Sequence, residues 1–101
     1  MTKAEKIAIL AEYLVNFRAW AYDELAARIG VGHLETTERR AQDGTEYSLS
    51  VDVFWDDKPH GDIRVIGDLS RDMPLWGFIP LYFPDVCESF IMSPDGRFVG
   101  A

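Results

Sequence analysis

The segment EYSLSVDVFW, residues 46–55, constrains this chain more than any other. Its side chains alternate: Tyr47, Leu49, Val51, Val53 and Trp55 fall on one face, Ser48, Ser50, Asp52 and Phe54 on the other. Successive side chains of a strand point to opposite sides, so a period of two with β-branched and aromatic residues predicts a strand with one face buried. Such a strand needs pairing partners beside it and a second layer over its apolar face. In a chain of 101 residues both must come from a short run of sequence.

The covering layer is found at the N-terminus. Ile7, Leu10, Ala11, Leu14, Phe17, Ala21, Leu25 and Ile29 recur at intervals of three and four, which predicts a helix over 2–29 with one apolar face. Thr2 followed by Glu5 matches a capping box, and Gly30 suits a C-terminal cap. An unbroken helix of that length would run about 40 Å, long for so small a domain. A break near Trp20–Asp23 is therefore expected.

The partner strands follow from turn chemistry. Residues 33–41, HLETTERRA, suit either a helix or a polar edge strand, and the turn Gln42-Asp43-Gly44 favours the strand. Its charges would guard the sheet edge against other chains. The loop DDKPH, 56–60, leads into a second core strand over 62–69 with Ile63, Val65 and Leu69 inward. The simplest register pairs Val51 with Val65 and sets Asp52 opposite Arg64. Beyond Arg71 the chain is rich in aromatics and broken by Pro74, Gly77, Pro80 and Pro84; a short strand near 75–79, a loop, and a strand at 86–93 are expected. Ser93-Pro94-Asp95-Gly96 is a turn returning Arg97-Phe98-Val99 as a last short strand. The fold class is thus α+β: one domain over 1–101, with an N-terminal helix on an antiparallel meander of four to five strands.

Charge narrows the function classes. Ten Lys and Arg stand against seventeen Asp and Glu, a net of −7. Nucleic acid and anionic membrane both reward a basic surface, so neither is expected as partner. Eight of the nine acids after residue 50 are Asp, a residue of turns, so much of the charge belongs to loops. Arg39-Arg40 is too small a basic cluster for nucleic acid and is expected to pair with Glu35, Glu38 or neighbouring acids. The apolar pattern of the first residues is interrupted by Glu5 and Glu12, which does not fit a secretory leader, and a cytoplasmic chain is expected.

Chemistry-bearing residues are few. With one cysteine, Cys87, neither a disulfide nor a paired-thiolate metal site can form within the chain, and its apolar surroundings predict burial. A polar cluster, Asp56, Asp57, His60 and Asp62, lies around the hairpin loop; carboxylates and an imidazole there could bind a cation, though Lys58 opposes it. No catalytic residue, metal ligand set or cofactor is assigned. Trp76, Leu81, Tyr82 and Phe83 form either core or an apolar contact patch for another protein or another copy. Tyr13, Trp20 and Tyr22 are expected in the core.

The ending ESFIMSPDGRFVG, Glu88 to Gly100, resembles that of some small uncharacterised bacterial proteins, and this resemblance implies no activity. Two function classes remain. The first is a small acidic, non-enzymatic module that engages a protein partner or forms a homodimer, an inhibitor-like role against a basic partner being one version. The second is a small-ligand binder or enzyme using a cleft between helix and sheet, with His60 or His33 and nearby Asp residues.

Overall fold

In the computed structural model, residues 2–71 and 86–99 are described. Two helices, α1 (Lys3–Arg18) and α2 (Tyr22–Ala26), precede five strands: β1 (Glu35–Arg40), β2 (Glu46–Trp55), β3 (Ile63–Arg71), β4 (Val86–Met92) and β5 (Phe98–Val99). The strands form one antiparallel sheet in chain order, a meander, with the N-terminal helix packed on it. This is the expected α+β architecture.

The helix breaks where its length demanded a break. Thr2 caps α1: its Oγ1 accepts from the Glu5 N–H at 3.1 Å and donates to the Glu5 carboxylate at 3.2 Å. The Glu5 carboxylate thus meets the Thr2 hydroxyl and not the Thr2 backbone N–H, so only half of the expected capping box forms. After Arg18 the chain leaves the helix, Ala21 is extended, and the Glu24 carboxylate accepts from the Ala21 N–H at 3.3 Å to open α2. Leu10, Tyr13, Leu14 and Phe17 of α1 and Leu25 of α2 are buried. Tyr13 is inside, as expected, whereas Ile7 at 37% exposure and Ala11 depart from the expected apolar face by lying outside.

The sheet's inner face is the predicted one. Tyr47, Leu49, Val51 and Val53 are buried, as are Ile63, Val65 and Leu69 of β3 and Val86, Phe90 and Met92 of β4. The β2–β3 register differs from the expected one. Val51 lies opposite Gly67, Val53 opposite Val65, and Arg64 opposite Phe54. The loop takes two residues more than the simplest turn: Asp56 N–H donates to Asp62 O at 2.8 Å, Gly61 N–H donates to Lys58 O at 3.1 Å, and His60 adopts a φ of 65°. A shift of two preserves which face each side chain occupies, so the core assignments survive the error. Asp52 and Arg64 do not pair. Asp52 meets His33 at 2.6 Å, and Arg64 meets Asp56 at 2.8 Å.

That register puts Gly67 beneath α1. A Cβ there would stand 2.8 Å from Leu14 Cδ2 and 3.0 Å from Leu10 Cδ1. Glycine thus lets the helix settle close to the sheet's central strand. At its C-terminal end α1 is tied to β4 and β5 by Arg18, whose guanidinium lies 4.7 Å from the Phe90 ring centre and 4.9 Å from that of Phe98.

Residues 33–41 resolve as the polar edge strand. The β1–β2 turn closes through Ala41 N–H to Thr45 O at 2.8 Å, with Gly44 at a φ of 89° that a side chain would resist. Arg40 pairs with Glu46 at 2.5 Å, and Arg39 lies over the Tyr13 ring. The strand expected near 75–79 lies outside the described residues.

Candidate functional site

Three places gather the polar and apolar groups that a function would need. The first is the β2–β3 loop. Its backbone is held from below by Tyr22, whose hydroxyl donates to Gly61 O at 2.7 Å. Asp56 is engaged with Arg64, and the His60 ring leans on Trp55 with centroids 5.6 Å apart. Asp56 and His60 of the expected polar cluster are thus turned toward separate neighbours. Among the described residues no group of three or more His, Cys, Asp or Glu side chains is placed to hold a metal ion.

The second is a cleft of about 220 Å³ between α1 and the β1–β2 edge, lined by Ile9, Glu12, Tyr13, Asn16, Arg39 and Tyr47. Neither His33 nor His60 lines it, so the ligand-binding reading loses the imidazoles it would have used. Small-molecule sites usually start near 300 Å³. Its one unusual group is the Tyr13 hydroxyl, which is buried and makes no hydrogen bond. Burial, and behind it the negative charge of Glu35, pushes the phenol up to about 12. Glu35 is near enough for its charge to act on the phenol.

The third is the outer face of the sheet. Both helices pack on the inner face, where Leu10, Leu14 and Leu25 join the strand core. No described helix or strand packs on the outer face. One cross-strand row there runs Phe54, Arg64, Ile91, Val99. Phe54 is 50% exposed and Val99 42%. The next row holds Asp52, Ile66 and Ser89, and the next Ser50, Asp68 and Cys87. The apolar band thus lies toward the β2–β3 loop, while hydroxyls and acids lie toward the other end.

Cys87 corrects an expectation: it is exposed, not buried. In β4 the inward residues are Val86, Phe90 and Met92, so strand alternation sends Cys87 outward beside Asp68. Partial desolvation of the sulfur, then the Asp68 carboxylate, pushes the thiol up to about 11, a weak nucleophile at neutral pH.

The apolar patch expected at Trp76, Leu81, Tyr82 and Phe83 lies outside the described residues. The outer-face band was partly visible in sequence, because Phe54 is a large aromatic on the otherwise polar side of the clearest strand. Its companions Ile91 and Val99 had no such signal, since their faces depend on where β4 begins. Among the described residues, no helix is long and apolar enough to cross a membrane. Comparison with family models, curated proteins and solved structures finds no match to this chain.

Proposed function

We propose that this protein is a non-enzymatic protein-interaction module whose contact surface is the outer face of its sheet, which no described helix or strand covers. The reading is carried by one observation: the half-exposed Phe54 and Val99 stand in a single cross-strand row with Ile91, the stem of Arg64 lying between Phe54 and Ile91, on the face that neither helix covers. Clustered exposed apolar side chains rimmed by polar ones are characteristic of protein contact sites, whereas scattered ones are ordinary surface. The acidic balance of the chain points the same way, to a partner that is a protein and not a nucleic acid. The competing reading, a small-ligand cleft beside Tyr13, has less volume and no imidazole.

The test is site-specific photocrosslinking in the native host. A photoreactive amino acid in place of Phe54 is expected to give protein adducts, while one in place of Val15, 59% exposed on α1, serves as the comparison. Adducts at position 54 that do not exceed those at position 15 would remove the outer face as the contact surface.

A further inference from the structure

On the sheet face that no described helix or strand covers, the central strand β3 carries Arg64, Ile66 and Asp68 at successive outward positions: a cation, an apolar residue and an anion. We infer that the occupant of this face is a second copy of the chain, packed face to face about a two-fold axis that passes over Ile66 and runs across the strands. The inference rests on the reading of the outer face as the contact surface and names what fills it.

The argument is one of self-complementarity. An isologous interface requires that the same patch match itself after a half turn. A half turn about Ile66 brings Arg64 over Asp68 of the copy and Asp68 over its Arg64, so the same ion pair forms twice. In the same operation Phe54 of β2 comes over Ser50 of the copy, and Ile91 of β4 over its Cys87, setting large side chains against small ones. Facing sheets stack about 10 Å apart with strands nearly aligned, a spacing that such large-on-small contacts fill.

Arg64 is equipped for the role. Its Nε donates to Asp56 at 2.8 Å, and it has no other side-chain partner among the described residues. A guanidinium has five N–H donors, so its terminal nitrogens remain for a second carboxylate. Five strands of this mean length project about 500 Å² per copy, an extent at the small end of specific interfaces. The same geometry contains one like-charge approach, Asp52 against its copy, because Asp52 lies level with Ile66; His33, 2.6 Å from Asp52, stands beside each carboxylate there.

The experiment is sedimentation equilibrium of the full chain over a wide concentration range, for wild type, Arg64→Asp, Asp68→Arg, the double swap and Asp52→Asn. Circular dichroism of each variant verifies the fold. The wild type is expected to dimerise, each single swap to weaken the dimer by about tenfold or more, the double swap to restore it, and Asp52→Asn to tighten it. Cys87 supplies a second readout, since dimerisation should slow its alkylation as concentration rises. A wild type that stays monomeric at every concentration, a dimer that ignores both single swaps, or single-swap losses that the double swap fails to restore each overturns the self-pairing. Protein adducts at position 54 that contain a different protein would overturn it while leaving the interaction-module reading intact. An absence of adducts there would take both.

Discussion

Tyr13 shows how a single residue can be well placed and poorly satisfied. Its ring packs edge-on to Phe17 at 5.4 Å and lies under the Arg39 guanidinium, yet its hydroxyl is buried without a hydrogen bond. A buried polar group left unpaired costs about 1–3 kcal/mol. Tyr13→Phe should therefore leave stability at neutral pH unchanged or raise it by up to about that amount, as measured by denaturant unfolding. The pH dependence has a definite sign. The phenol is raised from 10.0 to about 12 in the folded chain, so between those values the unfolded state has lost a proton that the folded state keeps. The unfolded state then binds fewer protons, and stability falls as pH rises through that window. The wild type should lose stability more steeply than Tyr13→Phe from pH 10 to 12. Parallel curves would show that the phenol ionises as freely in the fold as outside it.

At the scale of elements, the contact between α1 and β3 is set by Gly67. The smallest added side chain comes within 2.8 Å of Leu14, itself in the core. Gly67→Val should destabilise the protein by about 2 kcal/mol through overpacking, and Gly67→Ala by less. The better strand propensity of valine works against the loss, so equal stability of Gly67→Val and wild type in urea unfolding would mean the helix is free to lift. Gly67 also marks where sequence reasoning stopped. The alternation in β2 and β3 identified the inward residues because a period of two is a local property. Register is not local: it depended on His60 taking a left-handed φ and on a glycine being wanted opposite Val51. The same division explains Cys87. An apolar neighbourhood suggested burial, but only the start of β4 decides which of its residues face out. The helix was read correctly in its Thr2 cap, its break and the burial of Tyr13, and less well at its end, where α2 stops at Ala26 with Ala27 and not Gly30 as its cap, and at Ile7, which is exposed. Of the candidate sites, Phe54 was legible as an odd aromatic on a polar face, whereas the row it joins required the sheet.

At the scale of the whole molecule, the first element in the chain depends on one of the last. Leu10 and Leu14 reach β3, while the α1 end is fastened to Phe90 of β4 and Phe98 of β5 through Arg18. Phe90 and Met92 belong to the same buried cluster as Leu10, Tyr13, Leu14 and Phe17. A chain ending at Arg71 would lose Val86, Phe90 and Met92 from that cluster and leave part of the helix face uncovered. Such a truncation should lack the near-ultraviolet dichroism of packed aromatics while keeping some helical signal. A native-like aromatic spectrum from it would show that the first three strands and the helices suffice.

The same arrangement has a consequence for how the protein is made. α1 leaves the ribosome well before β4, and its greasy side then waits through the synthesis of β1, β2 and β3 for the strand that completes its cover. Because the exit tunnel encloses the most recently made residues, β4 docks only after synthesis has moved well past Met92 or has stopped. Final packing is therefore late relative to the appearance of α1, and the nascent helix is a natural client for whatever shields apolar segments at the tunnel mouth.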